Sequence, residues 1–132
     1  WPIGKKHDEP FLKGMTNPEK FPAWLKDADI DYLVKEFEGS GFRGPLNRYR
    51  NFHRDFAVSS GRAGTKISQP SLFMAGDKDM GIRMFGRDIE TRMRDHFDDL
   101  RGFHMIPGAG HWNQQEKPAE TNRLLLDWLE AL

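Results

Sequence analysis

Residues 71–79 read SLFMAGDKD, an apolar run that ends in a glycine and a loop with two aspartates. Pro70 precedes the run, and no polar residue interrupts it between Leu72 and Ala75. A short, uninterrupted apolar run favours a strand buried on both faces, as in a parallel sheet. We therefore predict a buried strand that leads into an aspartate-bearing loop.

A second strand is predicted at residues 102–106, where Pro107 and Gly108 stop it. Between the strands, residues 87–97 carry apolar side chains at helical spacing. A strand-helix-strand unit with strands this apolar implies a right-handed parallel crossover, with helices on both faces and further strands beside it. The predicted fold class is therefore α/β with parallel strands. Two strands are too few for such a sheet, so we expect this chain to be part of a larger protein.

The remaining segments are predicted to be helical. From Asp27 to Phe37, apolar residues recur at helical spacing, which predicts a short amphipathic helix. Pro45 suits a first helical position, and one apolar stripe continues from there to about Phe56. A final helix is predicted from residue 118 onward. Its predicted apolar face comprises Thr121, Leu125, Trp128, Leu129 and Leu132, with Leu124 at the edge.

The composition argues against several classes of partner. Lysine plus arginine number 20, equal to aspartate plus glutamate, and the charges are interleaved, so we expect neither nucleic acid nor a membrane as partner. The absence of cysteine excludes disulfides and thiolate sites, and we expect a cytoplasmic location. Residues 1–26 are rich in proline and are predicted to form an ordered connector. The chain starts at Trp1 rather than at methionine, so we expect a processed product or a piece of a longer protein.

Asp79 and His111 follow the two predicted strands. The carboxyl ends of parallel strands lie at one edge of a sheet, where ligands bind and catalytic side chains are displayed. A carboxylate that bonds one imidazole nitrogen fixes the tautomer and leaves the other nitrogen free to accept a proton. We therefore predict an acid–histidine pair. The alternatives are that Asp77 is the acid, or that both loops serve only as caps and turns.

The other histidines are predicted to be structural. His7 lies in the connector, His53 on a helical stripe, His96 at a helix end and His104 within a strand. No two histidines or carboxylates have a convincing metal-ligand spacing, so we expect no metal.

Three motifs together resemble the epoxide hydrolase family of α/β-hydrolases. They are SGFRGPLNRYRN at residues 40–51, GDKD at 76–79 and GHWNQQEKP at 110–118. They occur in family order, and the resemblance runs from about Trp24 to the chain end. It implies that residues 1–58 are connector and part of a helical lid, and that residues 59–132 are the carboxy-terminal part of the hydrolase core.

The resemblance also implies a mechanism without metal or organic cofactor. An aspartate nucleophile opens an epoxide to a covalent ester while Tyr49, from the lid, donates a hydrogen bond to the oxygen. His111, oriented by Asp79, then activates water to hydrolyse the ester to a vicinal diol. The implied partners are a small-molecule epoxide and water.

The sequence departs from the family pattern in three ways. No Gly-x-Asp-x-Gly or Gly-x-Ser-x-Gly nucleophile motif occurs in it, so the nucleophile is expected upstream of Trp1 and this chain alone is expected to be inactive. Arg48 and Phe56 stand where tryptophans are expected. Tyr32, the other tyrosine, is interpreted as a packing residue. We also expect association with the missing amino-terminal half, or self-association, because a two-stranded sheet leaves edges uncovered.

Two other functions remain open at this point. A haloalkane dehalogenase or esterase would share Asp79 and His111 without needing Tyr49. A non-catalytic binding or assembly module would retain these residues only for packing.

Overall fold

The structure is a computed structural model that describes residues 6, 8–10, 12–84, 86 and 88–132. Trp1, His7 and the predicted helix start at Arg87 lie outside these residues. The elements in chain order are α1 (Asp27–Ser40), α2 (Arg43–Arg50), α3 (Phe52–Ser59), a 3₁₀ turn (Ser60–Arg62), β1 (Ser71–Gly76), α4 (Met80–Met84), α5 (Ile89–His96), β2 (Leu100–Ile106), α6 (Asn113–Glu116) and α7 (Pro118–Glu130).

The predicted pair of parallel strands is confirmed. β1 and β2 pair in parallel, with Phe73 beside Phe103 and Gly76 beside Ile106. The two phenylalanine rings stack with their centroids 4.9 Å apart. Since the register brings Gly76 and Ile106 level, both strands end at the same edge of the sheet.

A small core lies between the sheet and α7. Its buried residues are Ile106, Ala109 and Leu124, and Met74 packs against them. The predicted α7 face is partly wrong, because Leu124 is buried whereas Leu125 and Leu129 are exposed. The helix is rotated so that Leu124, rather than Leu125, points at the strands.

The single helix predicted from Pro45 to Phe56 is also wrong. The structure has two helices, α2 and α3, which meet at Asn51. At Asn51 the backbone ψ is 1°, and its carbonyl accepts the Asp55 N–H that begins α3. The apolar stripe therefore runs across a break in the helix, and its members Leu46 and Phe56 are exposed.

Smaller differences concern element ends. The helix predicted at residues 87–97 is observed as α5, Ile89–His96, and β2 begins two residues before its predicted start. The short helices α4 and α6 were not predicted, since four or five residues carry too little periodicity to identify a helix. Within the described residues, no helix is long and apolar enough to cross a membrane.

Candidate active site

The loops after β1 and β2 are joined by backbone hydrogen bonds. The Asp77 N–H donates to the Ile106 carbonyl at 3.1 Å, and the Lys78 N–H donates to the Ala109 carbonyl at 2.9 Å. Gly76 makes this approach possible, because a Cβ there would overlap the carbonyl oxygens of Ala109 and Gly110. A glycine at the end of β1 thus brings the two loops together.

Asp77 links the two loops and does not contact the histidine. Its Oδ1 accepts the Gly108 N–H at 2.8 Å. This carboxylate satisfies a backbone donor in the opposite loop. The geometry therefore gives Asp77 a structural contact.

Asp79 is the carboxylate that contacts His111. Its Oδ2 lies 3.0 Å from Nδ1 of His111, and its Oδ1 accepts the Gly81 N–H at 2.7 Å. The residue is only 8% exposed. Burial opposes ionisation, but hydrogen bonds from His111, Gly81 and Ile82 and the charge of a protonated His111 together lower the pKa of Asp79 below its ordinary 3.8.

His111 presents its other ring nitrogen outward. An ionised Asp79 accepts a hydrogen bond from the Nδ1–H group, so the neutral ring carries its lone pair on Nε2. Nε2 bonds no residue in the described part of the chain, and the side chain is 70% exposed. The Trp112 ring meets the imidazole edge-on, with centroids 5.3 Å apart. The arrangement can accept a proton from water at Nε2 while Asp79 stabilises the resulting imidazolium.

Glu116 holds the backbone on both sides of His111, and the sequence analysis missed it. Its Oε2 accepts the Gly110 N–H at 2.6 Å, and its Oε1 accepts the Trp112 N–H at 3.1 Å. The only available signal was an acidic residue five positions after His111 and just before the helix that starts at Pro118.

Tyr49 is not brought to the acid–histidine pair by any described contact. It lies on α2, is 66% exposed and meets the Phe52 ring edge-on at 6.1 Å. It makes no hydrogen bond or ring contact with Asp79 or His111.

A cavity of about 520 Å³ lies between α1 and the His111 loop. Its walls are mainly apolar and include Trp24, Ile30, Leu33 and Trp112. The cavity therefore lies between α1, in the predicted lid, and the residues that follow His111, in the predicted core.

The other histidines lie outside this site. His53 and His96 are exposed on helices, His104 is half-buried in β2, and His7 is outside the described residues. Among the described residues, no group of three or more histidines and carboxylates is placed to hold a metal ion.

Known epoxide hydrolases are similar in sequence to most of the chain. Epoxide hydrolase B of Mycobacterium tuberculosis is 44% identical over 115 residues, covering 87% of this chain and 32% of that protein. Bifunctional epoxide hydrolase 2 of Rattus norvegicus is 37% identical over 121 residues, covering 92% of this chain and 21% of that protein. The chain thus spans a third or less of these relatives. No protein-family model matches it.

Solved structures show the same relationship. The crystal structure of epoxide hydrolase A from Mycobacterium thermoresistibile matches with a TM-score of 0.77 and 37% identity, covering 86% of this chain and 34% of that one. A Vigna radiata epoxide hydrolase mutant matches with a TM-score of 0.78 and 27% identity, covering 87% and 37%. The chain is therefore homologous to the carboxy-terminal part of epoxide hydrolases and has the matching portion of the α/β-hydrolase fold.

Proposed function

We propose that this chain is part of an enzyme that converts an epoxide and water into a vicinal diol. The observation that carries the proposal is the hydrogen bond between buried Asp79 and exposed His111, at the edge of a parallel strand pair. A carboxylate–imidazole pair with a free Nε2 suits the activation of water. The similar proteins are named as epoxide hydrolases, which does not favour the dehalogenase or esterase alternative.

The proposed reaction has two steps. In the first, an aspartate carboxylate from outside these 132 residues attacks an epoxide carbon. The carbon–oxygen bond of the ring breaks as the ester forms, and the ring oxygen takes a proton from solvent to become a hydroxyl. In the second, water attacks the ester carbonyl carbon as His111 Nε2 takes its proton. The acyl–oxygen bond then breaks, and the departing diol oxygen takes that proton back. The aspartic acid that the second step releases returns one proton to solvent when it ionises.

Tyr49 is proposed to act in the first step. Its hydroxyl has no hydrogen-bond partner among the described residues, and the side chain is largely exposed, so the group is available to a ligand. A hydrogen bond to the epoxide oxygen would stabilise the negative charge that develops as the ring opens. This role requires α2 to face His111 in the complete enzyme.

The domain division at residue 58 belongs to the same proposal. Residues 1–58 would contribute to a lid and residues 59–132 to the core, with the substrate between them. The apolar cavity beside Trp112 supports an epoxide with a hydrophobic substituent. The partner that completes the site is proposed to be the amino-terminal part of the full-length protein, since these residues match a third or less of the relatives. The cytoplasmic location remains a prediction.

The test is to determine the protein sequence upstream of Trp1 and assay the full-length protein with styrene oxide. A single turnover in ¹⁸O-labelled water should give a diol with no label at the new hydroxyl, because that oxygen comes from the carboxylate. His111→Gln should trap the ester, raising the protein mass by one epoxide. The matched control is His96→Gln, which changes an exposed histidine on α5 and should turn over normally. Labelled diol in the first turnover, or no diol at all, would contradict the proposal.

A further inference from the structure

We propose that Glu116 is a positioning residue that sets the orientation of the His111 ring through the backbone. The inference rests on the proposed function, since it assigns Glu116 to the water-activating step. Glu116 does not contact the imidazole, and its effect would pass through the residues on either side of His111.

The Glu116 carboxylate uses both of its oxygens on this loop. Oε2 accepts from Gly110, at 2.6 Å, and Oε1 accepts from Trp112, at 3.1 Å. Hydrogen bonds to an ionised carboxylate are stronger than those between neutral groups. Because the two donors belong to the residues that flank His111, one side chain restrains the backbone on both sides of the histidine.

The surrounding sequence is built to allow this contact. A Cβ at position 110 would lie 3.0 Å from Oε1 and 3.3 Å from Oε2, so glycine leaves room for the carboxylate. The Glu116 N–H also donates to the Trp112 carbonyl at 2.8 Å. The side chain and the backbone of Glu116 therefore both form hydrogen bonds with the His111 loop, and the residue is half-buried.

The histidine ring has few other restraints. The single described hydrogen bond of the ring is the one from Nδ1 to Asp79, and 70% of the side chain is exposed. A ring held by one hydrogen bond and the edge-on contact of Trp112 takes much of its direction from its own backbone. The direction of Nε2 therefore depends on the loop that Glu116 restrains.

The test is to compare the two chemical steps in the full-length protein carrying Glu116→Gln. The amide keeps one acceptor oxygen and loses the other, so one flanking N–H loses its partner. With styrene oxide in single-turnover experiments, we expect ester hydrolysis to slow by roughly 10- to 100-fold, since small misplacements of a catalytic group cost about that much. Ester formation, which does not use His111, should stay within about 2-fold on the same grounds.

The matched control is Glu120→Gln. It removes a carboxylate on α7 that bonds Arg123 and lies outside the loop. Both steps should match wild type. Equal slowing of both steps by Glu116→Gln, or unchanged ester hydrolysis, would overturn the positioning role.

A second measurement separates this inference from the proposed function. If the wild-type protein forms no ester, the proposed function fails, and the positioning role is then tested by NMR of the His111 ring. We expect the Nδ1 proton resonance to be sharp in wild type and broadened in Glu116→Gln. An unchanged resonance would overturn the inference.

Discussion

The proposed site has two parts, the loops that follow β1 and β2 and the helices α1 to α3, and they differ in how firmly the rest of the chain fixes them. The loops that carry Asp79 and His111 are joined by backbone hydrogen bonds, by Asp77 and by the close approach at Gly76. In contrast, the helices α1, α2 and α3, whose residues are all described, have no fully buried residue. The acid–histidine pair is thus preorganised by contacts within the chain, whereas the direction of Tyr49 is not.

The difference follows from how the strands and the helices are stabilised. Parallel strands pair their backbone groups with each other, so adjacent strands position their following loops. Helices α2 and α3 have eight residues each, shorter than the roughly 12–15 residues below which an isolated helix is marginal in water. Most helical stability in proteins comes from packing of an apolar face. The exposed Leu46, Tyr49 and Phe56 therefore need a further surface to fix the helices.

The largest expected effect is the loss of turnover when the carboxylate of Asp79 is removed from the firmly fixed loops. Asp79→Asn should reduce turnover by about 10⁴-fold, as expected for a carboxylate that fixes the tautomer of a catalytic histidine. Steady-state assay of the full-length protein measures it. Asp77→Asn is the matched control, and we expect a loss of less than about 10-fold because it leaves the Asp79–His111 bond intact. A larger loss from Asp77→Asn would reverse the assignment of the acid.

The next largest effect concerns the contact that joins the loops. Gly76→Ala should lower the free energy of unfolding by about 3 kcal/mol, because the added Cβ meets backbone atoms that cannot move aside easily. Urea denaturation provides the measurement. Gly39→Ala, in α1 with nothing within 4 Å of its Cβ, should be neutral or slightly stabilising. Equal stability of the two variants would show that the loops do not need their close approach.

Tyr49→Phe tests the contribution of helix α2, which contacts within the chain fix less firmly. We expect ester formation to slow by on the order of 100-fold, the typical cost of losing one hydrogen bond to a developing oxyanion. Ester hydrolysis should stay unchanged, because that step uses His111. Tyr32 is 64% exposed rather than packed, and it lines the apolar cavity beside Trp112. The control in the same stopped-flow experiment is therefore His53→Gln, which changes an exposed side chain on α3. Normal ester formation in Tyr49→Phe would remove the tyrosine from the mechanism and favour another hydrolase chemistry.

The smallest effect is the acid dependence of stability. Since folding lowers the pKa of Asp79, ionised Asp79 stabilises the folded state. The contribution is complete above the ordinary value of 3.8 and is lost as the pH falls through the lower value of the folded state. The stability difference between wild type and Asp79→Asn should therefore shrink as the pH is lowered below 3.8. A difference that stays constant across this range would contradict the assigned shift.

The two strands and the start of α7 could be predicted from local sequence. Apolar runs identified the cores of both strands, and Pro118 marked the start of α7, because these signals depend on neighbouring residues alone. The order of strand, helix and strand also predicted that the loops of Asp79 and His111 would lie side by side. A parallel crossover leaves little choice about which strand ends meet.

Other features were decided only by the tertiary structure. Whether Asp77 or Asp79 meets His111 depends on the path of the three-residue loop between β1 and α4, which spacing does not specify. The burial of Leu124 rather than Leu125 depends on how α7 sits on the strands, and the break at Asn51 is not visible in an apolar stripe that continues across it. Glu116 became visible only once Gly110 and Trp112 were placed in space. The periodicity of a sequence determines which face of a segment is apolar. Hydrogen-bond partners depend on the distances between atoms from different segments, and only folding of the chain sets those distances.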